Sequence, residues 1–151
     1  MKELRSEVEI HASPEQVWKL LTDFAGFAQW NPFIRRASGE ATVGERLEVF
    51  IQASSAQGTT VHPVVLKSEP NRELRWRRQL RIPGCFDGEH IFTIEPLDTG
   101  RVRFTQREIV TGFLVPFRAR HHDAETRRGL KEMNQALKQR AEQLTPAVEQ
   151  P

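Results

Sequence analysis

The sequence predicts an α+β domain in which a curved antiparallel sheet packs on one long C-terminal helix. Three observations predict it. The first strand alternates cleanly, period-two patterning continues to about Val110, and after Gly112 the apolar residues recur at three- and four-residue steps. Glu3 to Ile10 opens the chain with Leu4, Ser6, Val8 and Ile10 on one face and Glu3, Arg5, Glu7 and Glu9 on the other, the mark of a half-buried antiparallel strand. Ser13-Pro14-Glu15-Gln16 then supplies a cap residue, proline at the first helical position and glutamine at the third, a helix start. Val17, Trp18, Leu20 and Leu21 give that helix an apolar face. Asp23 to Trp30 forms a second short helical piece, halted by Asn31-Pro32.

Turns and alternation organise the sheet. Gly39 and Gly44 bracket a turn, and Leu47, Val49 and Ile51 alternate with Glu48 and Gln52. Thr59 to Ser68 is apolar on both parities, so its faces stay unassigned. Glu69-Pro70-Asn71 is a turn, after which Leu74, Trp76, Leu80 and Ile82 alternate with Arg75, Arg77, Gln79 and Arg81. Pro83-Gly84 suits the centre of a type II turn. Two further strands follow, Phe86 to Glu95 and Arg101 to Val110, joined around Asp98 and Gly100. Leu130, Met133, Leu137, Ala141 and Leu144 then mark one face of the long helix. The order is one strand, two short helices, about six strands and a helix, and the layer rule sets that helix against the apolar face of the sheet.

Composition bounds the function. The 151 residues are 38 % hydrophobic and 28 % charged, suited to a single globular domain over 1–144 with 145–151 a frayed tail. Basic residues number 22 and acidic residues 20, a balance too even for a dedicated nucleic-acid binder. The lone Cys85 excludes an internal disulfide and any cysteine-based metal cage. No h-region opens the chain and no apolar run approaches a membrane span. A soluble cytoplasmic protein, monomeric or homodimeric, with no cofactor, metal, nucleic acid or membrane insertion is expected.

Several motifs carry a resemblance. Ala12-Ser13-Pro14-Glu15-Gln16-Val17-Trp18, Leu21-Thr22-Asp23 and Trp30-Asn31-Pro32-Phe33 resemble the N-terminal signature of the START-like, or SRPBCC, superfamily, which includes polyketide cyclase/dehydrase-type domains. Gly88-Glu89-His90-Ile91-Phe92, Gln106-Arg107-Glu108, Gly112-Phe113-Leu114 and Met133-Asn134-Gln135-Ala136-Leu137-Lys138 stand where that family's later motifs stand. The resemblance spans Met1 to about Gln143. It implies a helix-grip fold, a seven-stranded sheet wrapped round a long helix with an apolar cavity between them. Members include lipid carriers, hormone-binding proteins, aromatic polyketide cyclases and chaperone activators.

Parity predicts what faces that interior. If Leu74, Trp76 and Leu80 point inward, so does Arg78; Phe92 and Ile94 bring His90 in, and Val102 and Phe104 bring Gln106 and Glu108. A hairpin centred on Pro83-Gly84 sets Leu74 opposite Ile94, Trp76 opposite Phe92 and Arg78 opposite His90. A loop centred on Asp98 sets Ile94 opposite Val102, Phe92 opposite Phe104 and His90 opposite Gln106. Apolar rows then give way to a polar row of Arg78, His90 and Gln106, with Glu108 one step on. Either this row is a satisfied, ion-paired structural cluster or a wet rim, or it is the polar end of a ligand pocket walled by Trp76, Phe92 and Phe104. In the second case Arg78 would hold a carboxylate or carbonyl oxygen.

Other candidates are weaker. Trp30, Phe33, Phe113 and Phe117 flank the sheet as a cavity gate, though Trp30 suits core packing better. His121-His122-Asp123 lacks the spacing of a metal site and is a solvated helix turn, with His121 alone facing the cavity mouth, four residues from Phe117. Arg75, Arg77, Arg81, Arg101, Arg103 and Arg107 form an outward stripe, which ordinary solvation explains better than nucleic acid. No phosphate loop or nucleophile elbow occurs, and Cys85 is taken as inert. Three functions remain: binding of a small hydrophobic molecule (a lipid, an aromatic or a polyketide-like compound), a cyclase/dehydrase with His90 or Glu108 as base and Arg78 as oxyanion donor, or a protein-interaction or stress-helper domain without a ligand.

Overall fold

The structure, a computed structural model, describes residues 2–53, 57–79, 87–111 and 120–144, without the side chains of Gln79, Arg120, His121 and His122. The Pro83-Gly84 turn, Leu80, Ile82, Arg81, Cys85, Phe113, Phe117, the His121 side chain and the tail therefore lie outside the described residues. Strand β1 (Lys2–Ile10) leads into α1 (Pro14–Thr22), a 3₁₀ turn (Phe24–Gly26) and α2 (Phe27–Trp30). The strands β2 (Ile34–Ser38), β3 (Glu48–Ile51), β4 (Thr59–Val61), β5 (Val64–Glu69), β6 (Glu73–Gln79), β7 (Asp87–Asp98) and β8 (Arg101–Thr111) follow, and α3 (Arg120–Gln143) closes the chain.

The local signals act by the expected chemistry. Gln16 N donates to Ser13 Oγ at 3.2 Å and Ser13 N donates to Gln16 Oε1 at 2.9 Å, a complete capping box ahead of Pro14. Asn31 ends α2 because its Oδ1 accepts from Phe33 N (3.0 Å) and Ile34 N (2.9 Å), turning the chain into β2. Asn71 takes the left-handed φ of 68° that closes the turn between β5 and β6.

The strands form a five-stranded sheet, β1-β8-β7-β6-β5, and a three-stranded sheet, β2-β3-β4. Thus the α+β helix-grip class holds, but the described residues show eight strands where seven were expected. The break lies in the segment whose faces could not be assigned. His62-Pro63 separates β4 from β5, since proline cannot donate to a ladder. Within β5 the register then slips between Val65 and Lys67. Val61, Pro63 and Val65 are buried while Leu66 is pushed outward, so one apolar residue too many blurred the parity. Hydrogen bonds from Leu47 N to Pro63 O and from Val65 N to Glu45 O, both short, still tie the two sheets together.

One core joins everything. Leu4, Ile10, Val17, Leu21, Leu74 and Phe92 from the sheet side and the α1 region meet Leu130, Met133, Leu137 and Ala141 of α3. Leu144 departs from expectation: it is 55 % exposed and follows the end of α3, where the helical face has run past the sheet. Trp30 packs edge-on to Phe27 with ring centres 5.3 Å apart, and Phe33 is buried. The Phe33 ring lies against Gly129 of α3, where an added Cβ would come within 2.2 Å of Phe33 Cδ1. Gly129 is therefore the notch that lets the segment after α2 dock on the long helix.

Alanine at Gly129 should improve intrinsic helix propensity and yet destabilise the protein, by about 1–3 kcal/mol of overpacking against Phe33. Denaturant titration of Gly129→Ala checks the sign, and adding Phe33→Leu should recover most of the loss.

Candidate functional site

The inner face of β6, β7 and β8 holds the expected side chains, in a different register. Leu74 stands opposite Phe92, Trp76 opposite His90 and Arg78 opposite Gly88. His90 stands opposite Glu108, Phe92 opposite Gln106 and Ile94 opposite Phe104. Each strand is offset by two residues from the expected pairing. Side chains repeat every two residues, so the offset preserves every face while changing every partner. For β7 and β8 the cause is visible. The turn is Thr99-Gly100, with Gly100 at φ 85°, rather than a loop centred on Asp98, and a bulge between Pro96 and Asp98 takes up one residue, leaving a net offset of two.

The offset turns the polar row into a diagonal. Arg78 of β6 pairs with Glu108 of β8, crossing β7 at Gly88, where a Cβ would lie 2.9 Å from Arg78 Nε. Only a residue without a side chain leaves that path open. Gly88 is the residue that parity could not find, because it matters by what it lacks; its place in the Gly88-Glu89-His90 motif was the available signal. Glu108 is 5 % exposed, whereas the Arg78 side chain is 26 % exposed, so the pair sits at the edge of the buried region.

Inside that edge the hydrogen bonding is continuous. His90 Nε2 lies 2.8 Å from Gln106 Oε1, and Gln106 Nε2 donates to Asn134 Oδ1 (2.7 Å) and to the Leu130 carbonyl (3.3 Å). His90, Gln106 and Asn134 are all buried. Asn134 on α3 joins the site from the helix side, which strand parity could not reveal, although Met133-Asn134 belongs to a motif noted in the sequence. The His90 ring stacks on Phe92 with centres 4.2 Å apart, and Trp76 meets both rings edge-on at 5.6 and 5.0 Å. Phe104 and Phe24 extend this aromatic wall, 6.3 Å from Phe92 and Trp76 respectively. Burial holds the His90 imidazole below its ordinary value of 6.5. The Glu108 charge and the Gln106 hydrogen bond oppose that shift without reversing it, and Arg78 adds to it.

Elsewhere the expected charges are matched. On the convex face Arg75 pairs with Glu73, Arg77 with Asp87, Arg103 with Glu95, Arg107 with Glu3, and Arg101 with both Glu9 and Asp98. The described arginines of the stripe are thus interleaved with carboxylates from their own and neighbouring strands. A cleft of about 380 Å³ between Phe24, Ala25 and Ala28 and the strand residues Arg36, Glu48 and Phe50 lies apart from the polar row. Among the described residues no group of His, Cys, Asp and Glu side chains could hold a metal ion, and no helix is long and apolar enough to cross a membrane.

Residues 1–142 match the polyketide cyclase/dehydrase and lipid transport family. The chain belongs to that family. Solved structures agree on the fold. A START superfamily protein from Mycobacterium smegmatis has a TM-score of 0.75 at 22 % identity, covering 95 % of this chain and 99 % of that one. An aromatase/cyclase from a Streptomyces strain has a TM-score of 0.77 at 18 % identity, covering 97 % of each chain. A protein from Mesorhizobium loti reaches 0.73 at 22 % identity, covering 96 % of this chain and 100 % of that one. At these identities the likeness establishes the helix-grip fold alone. No curated protein matches the chain. Family membership supports ligand binding or a cyclase role in general terms.

Two measurements probe the site. Arg78→Met should cost about 3 kcal/mol by stranding buried Glu108, while Arg78→Met with Glu108→Leu should cost much less, as read by a double-mutant cycle in urea. His90 has a depressed folded-state pKa, so its contribution is present above 6.5 and is lost as pH falls towards the folded value. From neutral pH to about pH 5 the wild type should therefore lose more stability than His90→Gln, the difference between the two profiles isolating the imidazole.

Proposed function

We propose that the protein binds a small hydrophobic molecule, aromatic or polyketide-like, between the concave sheet and α3, with its polar end at the His90–Gln106–Asn134 row. One observation carries this reading. A wall of Phe24, Trp76, Phe92 and Phe104 runs directly into a buried hydrogen-bonded row on the same face. Apolar concave surface with a few convergent polar groups is what a small-molecule site requires. Arg78 and Glu108 mark the mouth. From this end of the sheet the connections 80–86 and 112–119 depart, the second carrying Phe113 and Phe117, and His121 follows in α3.

A cyclase/dehydrase reading is the second candidate, favoured by the burial that keeps His90 unprotonated near neutral pH, the state a general base needs. Here His90 or Glu108 would remove the proton from an acidic C–H and Arg78 would meet the developing oxyanion. The Arg78–Glu108 ion pair weighs against it, since both groups would have to leave each other to act. Binding without chemistry asks for no such rearrangement.

Fatty acids, flavonoids and aromatic polyketides, tested by calorimetric titration, should separate into non-binders and binders, the aromatic compounds among the latter. Asn134→Leu should weaken their binding about tenfold, the worth of one hydrogen bond. No binding by any class would overturn the proposal. Turnover of a poly-β-ketone that is abolished by His90→Gln and Glu108→Gln would establish the enzyme instead.

A further inference from the structure

We infer that the backbone carbonyl of Leu130 sets the polarity of the entire buried row, holding His90 as the Nε2–H tautomer and leaving Asn134 Nδ2 as a free donor, so that the site takes a neutral carbonyl group in preference to a carboxylate. The ligand half of this statement rests on the binding function proposed above; the polarity half does not.

The chain of reasoning starts at an atom that can only accept. A backbone carbonyl has no proton, so the Gln106 atom 3.3 Å from Leu130 O has to be the amide nitrogen. That nitrogen has two protons, and the second goes to the Asn134 side chain at 2.7 Å. The Asn134 atom facing it must therefore be Oδ1, which turns Nδ2 away. Nδ2 is buried, and no hydrogen-bond partner for it exists among the described residues. At the other end of the amide, Gln106 Oε1 faces His90 Nε2 at 2.8 Å and can only accept, so Nε2 must carry the proton. In the neutral ring Nδ1 is then an acceptor.

Charge balance decides the ligand class. Arg78 is committed to Glu108, and Gln106 and Asn134 are uncharged. The burial that depresses His90 keeps its ring neutral as well. Among the described residues the polar end therefore has no spare positive charge, and a carboxylate placed there would be buried without a counter-ion. A ketone or amide oxygen carries no such requirement and can accept from Asn134 Nδ2, whose unmet donor is costly while it stays empty.

Nitrogen-15 NMR of histidine-labelled wild-type protein above neutral pH, with His90 assigned from the His90→Gln spectrum, tests the polarity. Nε2 should resonate as a protonated nitrogen and Nδ1 as an unprotonated one, and Gln106→Met should remove the bias. An Nδ1–H tautomer in the wild type would overturn the assignment. The ligand half is tested by titrating 2-acetylnaphthalene and 2-naphthoic acid, which share one skeleton. The ketone should bind at least about tenfold more tightly, and Asn134→Leu should weaken the ketone about tenfold by removing its donor. Equal or tighter binding of the acid would overturn the preference for a neutral group. If neither compound binds while the tautomer is as stated, the binding reading fails for this aromatic class and the polarity assignment stands.

Discussion

A polar row sealed between a sheet and a helix has to be electrically neutral and closed by hydrogen bonds, and the rest of this protein is arranged to meet that demand. The bare ion costs several kcal/mol to bury, so Glu108 needs Arg78, and Arg78 sits two strands away. The link is possible because Gly88 leaves the intervening strand flat. His90 and Gln106 cannot reach water and are satisfied by each other and by Asn134 and Leu130 of α3. The helix is therefore joined to the sheet by oriented polar contacts as well as by apolar packing, which fixes its rotation about its own axis.

That rotation is matched one residue away by shape. Phe33 fills the hollow at Gly129, and Leu130, the next residue, offers its carbonyl to Gln106. A polar constraint and a steric one thus meet on consecutive residues of α3. The segment that delivers Phe33 is itself set by Asn31, whose side chain turns the chain from α2 into β2. Local sequence chemistry at residues 31–33 is thereby coupled to the position of the buried row through Gly129 and Leu130.

The architecture was legible because its signals are local: the Ser13–Gln16 capping box, the alternation of β1, β6, β7 and β8, and the periodic face of α3. Which side chains face inward was legible for the same reason, since parity is a property of one strand. Register was not. It depends on where a turn closes, and a slip of two residues leaves no trace in the pattern of faces. The seven-strand expectation failed at His62-Pro63 and at the Leu66 bulge, where an added residue resets the alternation within a single apolar run. Gly88 and Asn134 were out of reach of parity for different reasons, one acting by absence and the other approaching from a different element.

The pairing of β1 with β8 has a kinetic side. Lys2 through Ile10 align with Val102 through Val110, and Lys2 also meets Asp123 at 2.6 Å, so among the described residues β1 finds its sheet neighbour about a hundred residues downstream. Such a loop is entropically expensive to close and slows folding relative to hairpin-by-hairpin assembly. During synthesis the nascent β1 therefore stays without its strand partner until β8 has been made.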